Sequence, residues 1–488
     1  MHPVVLVFPI PTHDQVGSLS PPLSILYLGA FLERAGVEVS YLDLRIHNLK
    51  DLYSELEKEP LLVGVSSMTG YQLIGAVEVL KAVKERAPQT PTVLGGVHVS
   101  MLPEQSLADE LVDFVVVGEG EATLLELVET LDSGRPEFGK ILGLGWKKQD
   151  GTPVLNGPRP FLDLAESPPP VTETSRHLYD YYPMVKIQVS RGCPHRCGFC
   201  YNTVFNRRAY RFKPLENIEA EIKTLGQLAA NKKHLSVLSD HIGPQRQRII
   251  DIAGIIARAG YTFHSSIRAE SLDEKLIEAI DGVCEEVFIG VEHVSERIRK
   301  LIRKDNSVAD VRRAARLLAR SSIRPVHSFM TAFPDETRAE TLANMDFADE
   351  LRATDPKAEI SPFFLLTPFP GTELYSLALE RGYQAPGSLS GWRNFGLGQV
   401  NMPWVDRRSE AYTDLYGIGL LIFTPAASYS SNDFEREWFA YLQEKAWQRW
   451  RERDLRFKKE LAMFLAYNDK FRRYKRPRKR PPLTRMTD

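Results

Sequence analysis

Ser190-Arg191-Gly192-Cys193-Pro194-His195-Arg196-Cys197-Gly198-Phe199-Cys200-Tyr201-Asn202 holds three of the chain's four cysteines. They stand at C-x3-C-x2-C, directly after the strand-like run Val185-Lys186-Ile187-Gln188-Val189. Disulfides within so short a segment are strained, and three thiols leave one unpaired. A structural zinc site wants a fourth Cys or His; His195 lies between the cysteines, but the residues beyond Cys200 offer no partner motif. Iron–sulfur clusters normally take four thiolates, so three leave one iron open to a small-molecule ligand. A catalytic cluster held by Cys193, Cys197 and Cys200 ranks first, ahead of zinc and of three packed thiols.

Upstream of this loop, short apolar runs alternate with segments of helical period. Strands are predicted near residues 4–8, 37–42, 61–66, 92–94 and 114–117, and the segments between them repeat apolar residues about every 3.6 positions. Alternating βα order with buried strands implies a doubly wound parallel sheet of Rossmann or flavodoxin type, spanning residues 1–133. Ligands of such sheets sit beyond the C-terminal strand ends. Small and polar residues gather there: Ser66-Ser67-Met68-Thr69, Gly95-Gly96-Val97-His98 and Gly118-Glu119-Gly120-Glu121. Residues 134–184 read as a linker with a hairpin around Gln149-Asp150-Gly151 and a Pro-rich crossing at Ser167-Pro168-Pro169-Pro170.

After the cysteines the alternation resumes. With Val185–Val189, strands near 235–238, 262–267, 286–289, 325–329 and 359–366 make six βα-type units. That is a partial (β/α)6 TIM-like barrel over residues 185–376, with active residues expected at its C-terminal strand ends. Asp240, Arg268 and Glu292 occupy such ends.

The cysteine spacing, with the aromatic Phe199 before the third cysteine, resembles the radical S-adenosylmethionine (SAM) enzymes. The resemblance implies a [4Fe-4S] cluster whose open iron chelates SAM, and a 5′-deoxyadenosyl radical formed after one-electron reduction. It also implies cofactor contacts from Phe199, an acidic group near the ribose or methionine at Asp240, a carboxylate partner in Arg268, and a G-x-E contact in Glu292. The three upstream clusters, with Pro21-Pro22-Leu23 and Val117-Gly118-Glu119-Gly120-Glu121, resemble the cobalamin-binding domain that precedes many of these enzymes. Corrin and nucleotide-loop contacts are thereby implied for Ser66, Ser67, Gly95, Gly96, His98, Gly118 and Gly120. The cobalt-ligating D-x-H-x-x-G of other cobalamin domains is missing, since Thr12-His13-Asp14 has the wrong order. Phe329-Met330-Thr331-Ala332-Phe333-Pro334-Asp335-Glu336-Thr337 resembles a family phrase with glycines where Ala332 and Asp335 stand.

Composition bounds the remaining possibilities. The chain has 488 residues, 43% of them hydrophobic and 26% charged, ample for several cores. Few cysteines, three of them clustered, point to a reducing cytoplasm rather than a disulfide framework. No apolar run approaches the roughly 20 residues of a membrane span. The net charge of −1 conceals a basic end: residues 441–488 carry 16 Lys/Arg against 6 Asp/Glu. Residues 377–488 are expected to be helical. Trp438, Leu442, Ala446 and Trp450 recur every four positions on a helix from 434 to 464. A cap packed on the barrel ranks above peripheral contact with a membrane surface, and nucleic acid ranks last.

These readings converge on a cobalamin-dependent radical SAM enzyme. The first expectation is methylation of an unactivated carbon in a small-molecule or lipid substrate, through methylcobalamin and the 5′-deoxyadenosyl radical. A one-electron donor such as flavodoxin or ferredoxin is its implied partner. The rivals are an oxidative cyclase or rearrangement enzyme of the magnesium-protoporphyrin monomethyl ester cyclase type, and a non-catalytic cobalamin or redox sensor.

Overall fold

Val4, Val5, Leu6 and Val7 are inaccessible to solvent on both faces of the first strand, β1 (Val4–Phe8), the mark of a strand sandwiched between helical layers. In the computed structural model, residues 2–9, 20–182, 184–229, 232–395 and 433–455 are described, with isolated positions between 402 and 422. Four strands join β1: β2 (Val39–Asp43), β3 (Leu62–Ser66), β4 (Thr92–Gly95) and β5 (Phe114–Val116). They lie parallel in the order β2-β1-β3-β4-β5, the flavodoxin arrangement. The hairpin expected in the linker forms β6 (Leu144–Lys147) and β7 (Pro153–Leu155). It pairs antiparallel with β5 and so extends the first sheet rather than standing apart from it.

The second sheet is wholly parallel. Its strands are β8 (Val185–Gln188), β11 (His234–Leu238), β12 (Thr262–Ser266), β13 (Cys284–Glu292), β14 (Arg324–Thr331) and β15 (Glu359–Leu365). Each pairs with the next in chain order, which is the six-stranded partial barrel. Between β8 and β11 the chain makes a small antiparallel ribbon, β9 (Ser190–Gly192) with β10 (Tyr210–Phe212), and the cysteine loop is the connection between its strands. Three residues per strand are too few to register as an alternating pattern.

One apolar core runs through both sheets. Leu26, Leu127 and Tyr27 on the helices of the first domain belong to the same buried cluster as Ile187, Ile222 and Phe263 of the barrel. The other face of the first sheet is closed by the chain that follows the barrel. Leu389, Trp392 and Phe395 join the cluster of Val63, Leu80 and Val99, and Trp392 Nε1 donates to Gln105 Oε1 at 2.6 Å.

The C-terminal helix runs Asp433–Arg451, shorter than its apolar pattern suggested. It stops where Arg453 turns into the left-handed region, at φ +53°, and donates to Asp346 and Asp349 of the barrel helix Arg338–Thr354. Phe439, Leu442, Ala446 and Trp450 are all at most 3% exposed, and Trp450 Nε1 donates to Asp349. The stripe that also suited a membrane surface is therefore covered by the barrel. Among the described residues no helix is long and apolar enough to cross a membrane. His13 and the basic run Tyr474–Arg480 lie outside the described residues.

Ala332 and Asp335, which stand where the family phrase has glycines, lie in the left-handed region that favours glycine, at φ +65° and +57°. A side chain in that region costs roughly 1–2 kcal/mol. Ala332 is held there by its buried setting and by Trp404 Nε1, which donates to its carbonyl. Ala332→Gly is expected to raise the free energy of unfolding by about 1 kcal/mol, read as a higher denaturant midpoint at constant slope.

Candidate active site between the two sheets

The cysteine loop is anchored from below before any ligand is considered. Gly192 donates its N–H to Asp240 Oδ2 at 2.8 Å, and Gly198 donates to Ile302 O at 2.9 Å. A Cβ on Gly192, whose φ is +82°, would stand 1.9 Å from Ala209 O, so the ribbon closes only over a glycine. Burial raises all three thiols, Cys200 to about 12, with the neighbouring cysteines adding to the effect at Cys200. Arg268 and Lys304 pull the other way at Cys197. Three thiols on one short loop, with two cations acting on Cys197, suit an anionic metal–thiolate group, and their ligation would release protons. Cys284 is different. It lies at the opposite end of β13 from Glu292, about 26 Å away along the strand, buried and donating to Glu286 O.

The strand-end residues already have partners. Asp240 accepts from Gly192 and from Asn206, so its carboxylate holds the loop as well as facing the cavity described below. Arg268 pairs with both Glu270 and Asp305, and Asp305 also meets His195 Nδ1 at 2.7 Å. Glu292, itself left-handed at φ +63°, accepts from Lys304 Nζ at 3.0 Å. Phe199 packs beneath the loop with Ile298, Ile302 and Met330.

A cavity of about 350 Å³ lies where the C-terminal edge of the first sheet faces the cysteine loop. Ser66, Gly95, Gly96, Gly118 and Gly120 line one wall. Gln188, Arg191, Tyr201, Asn202 and Asp240 line the other. Gly118, at φ +82°, has nothing within 4 Å of the place a Cβ would take, and at Gly95 the nearest atom is 3.8 Å away. These positions leave backbone bare toward open space, which is how a sheet edge receives a broad, flat ligand such as a corrin. The residues fit the cobalamin that the sequence implied.

Ser67 and His98 do not line the cavity. Ser67 Oγ donates to Gly95 O, and His98 is fully buried, its Nδ1 at 3.1 Å from Thr69 Oγ1 and its ring against Trp392. Burial holds His98 down at about 4, a neutral imidazole. Sequence reading also passed over Arg191, Tyr201, Asn202 and Lys304. Arg191 sits within the quoted cysteine stretch and Glu119 and Glu121 within the quoted glycine phrase, so the signal was their opposite charge.

The comparisons with known proteins agree with this layout. Residues 12–128 match the family model of the B12 binding domain, and residues 187–348 match that of the radical SAM superfamily. An uncharacterized methyltransferase of Pyrococcus horikoshii is 31% identical over 391 residues, covering 77% of this chain and 83% of the relative. The chain belongs to the radical SAM enzymes with a B12-binding domain. Within this family, the anaerobic magnesium-protoporphyrin IX monomethyl ester cyclase of Synechocystis is 29% identical over 399 residues, 76% of each chain. The solved cobalamin-dependent SAM radical enzyme OxsB shares the fold, with a TM-score of 0.71 over 97% of this chain and 75% of its own, at 17% identity.

Proposed function

We propose that this radical SAM enzyme methylates an unactivated carbon of a small-molecule or lipid substrate, with cobalamin on the first sheet and SAM at the cysteine loop. The observation that carries the reading is the single cavity walled by the glycine edge on one side and by residues flanking the cysteines on the other. When bound, cobalamin supplies the methyl group, while the [4Fe-4S] cluster and SAM supply the radical that removes a substrate hydrogen. The chain's part is to hold, orient and keep dry. Cys193, Cys197 and Cys200 would take three irons and leave one for SAM. Glu292 offers a carboxylate for the SAM ammonium, and Arg268 a guanidinium for its carboxylate.

Leu238 and Phe288 are 43% and 36% exposed. Leu238 lines the cavity, and Phe288 stands four residues before Glu292, toward the C-terminal end of β13. Apolar side chains left open at a barrel mouth support an apolar substrate portion there. A second cavity, of about 530 Å³, adjoins the loop and is lined by His195, Arg196, Lys300 and Arg303. Its surplus of cations supports an acidic one-electron donor such as a flavodoxin or ferredoxin.

Arg268→Ala is expected to weaken SAM binding by about 2 kcal/mol, roughly thirtyfold in Kd, with iron content unchanged. Equal affinity in calorimetry would mean that Arg268 serves only Glu270 and Asp305. The reaction itself is tested with anaerobic, reduced protein, SAM carrying a deuterated methyl group, and metabolite extract from a strain lacking the gene. The expected product carries the label, with 5′-deoxyadenosine formed alongside. An oxidised, unlabelled product would instead point to the cyclase chemistry for which the Synechocystis relative is named. Absence of 5′-deoxyadenosine would overturn both.

A further inference from the structure

Arg191 on β9 and Arg211 on β10 are direct cross-strand partners on the ribbon that carries the cysteine loop. Both reach across the domain boundary to the loop after β5. Glu119 accepts from Arg191 Nη1 at 3.1 Å and from Arg211 Nη1 and Nη2 at 3.0 and 2.7 Å. It also accepts from the Leu162 N–H of the linker at 2.9 Å. Arg191 Nη2 donates to Glu121 at 2.6 Å and its Nε to Gln188 at 2.8 Å, while its guanidinium lies 5.6 Å over the Tyr27 ring. The side chains of Glu119, Glu121 and Arg191 are 8%, 6% and 11% exposed. Burial works to raise the Glu119 carboxyl, and Arg211 and Arg191 outweigh it, leaving it below the usual range.

Buried charges are an expensive adhesive, because desolvation offsets much of their attraction. The two domains already share a continuous apolar core and have no need of such a bond to stay together. What a guanidinium fork between two carboxylates adds is direction, since it is satisfied in one geometry only. Glu119 and Glu121 flank Gly120 in the cavity wall, and Arg191 is two residues before Cys193. We propose that Arg191, clamped by Glu119 and Glu121 and supported by Arg211, is the positioning residue that sets the cobalamin edge against the cluster loop. The proposal rests on the cofactor placement argued above.

Two arms test it in the full chain, with Arg191→Gln, Glu121→Gln, both together, and Arg191→Lys. In protein free of cofactors, hydrogen exchange should quicken by about tenfold at residues 117–121 and at 190–193 in either glutamine variant. The double variant should exchange no faster than Arg191→Gln alone, because that change already removes the bond to Glu121. In protein loaded with cob(II)alamin and a reduced cluster, the cluster's enhancement of cobalt spin relaxation should weaken in Arg191→Gln. Arg191→Lys, which keeps the charge and loses the fork, should fall between it and the parent. Unchanged exchange at residues 117–121 in Arg191→Gln, or unchanged cobalt relaxation, would overturn the clamp. Should the parent bind no cobalamin, the functional reading fails by itself and the exchange arm still decides the clamp.

Discussion

Gly95→Leu protein is expected to take up cobalamin about 3 kcal/mol more weakly than the parent, roughly 150-fold in Kd, while still binding its full complement of iron. The reason is directional. A Cβ at Gly95 meets only Val116, at ordinary contact distance, so the position itself tolerates a side chain. Beyond the Cβ the open direction is the cavity, and the three further leucine carbons would occupy space between the two walls. Gly95→Ala, which adds the tolerated carbon alone, separates this effect from damage to β4 and should lose far less affinity. Iron content reports the second sheet and should not respond to either change. Equal cobalamin affinity in Gly95→Leu, measured by equilibrium dialysis, would place the corrin elsewhere.

Cys200→Ala protein, reconstituted anaerobically, is expected to form no 5′-deoxyadenosine above background, against about four irons and full cleavage in the parent. Cys193→Ala and Cys197→Ala should behave alike, since two remaining thiolates cannot hold the cluster with one iron open. Cys284→Ala is the contrasting case. Its thiol is buried in the sheet and bonded to Glu286 O, so its loss should cost the small packing penalty of a core cysteine and leave iron untouched. A Cys284→Ala protein as poor in iron as Cys200→Ala would show that the ligand set has been misassigned.

Both predictions rest on features that adjoining residues specify. Three thiols within eight positions cannot be far apart in any fold, so the cysteine loop is legible as a metal site before its surroundings are known. Alternating apolar and helical periods likewise imply parallel sheets, because buried strands joined through helices have few other arrangements. Glycines at strand ends mark bare backbone wherever the sheet stands. Even the left-handed turns at Ala332 and Asp335 follow the family phrase, although neither residue type announces them.

Tertiary structure alone decided which charges meet. Glu119 and Arg191 are 72 positions apart, and Asp240 reaches Gly192 across 48. A glutamate or arginine in sequence reads first as surface, since most such residues are solvated; burial and a partner come only from the packing of whole domains. His98 shows the converse. The family resemblance implied a ligand contact for it, but the segment carrying Trp392, nearly 300 positions later, closes over that face and seals the ring inside. The C-terminal helix is a third case. Its aromatic stripe requires some apolar cover, and only the fold shows that the barrel helix Arg338–Thr354 provides it, because periodicity records how much surface must be hidden and not what hides it.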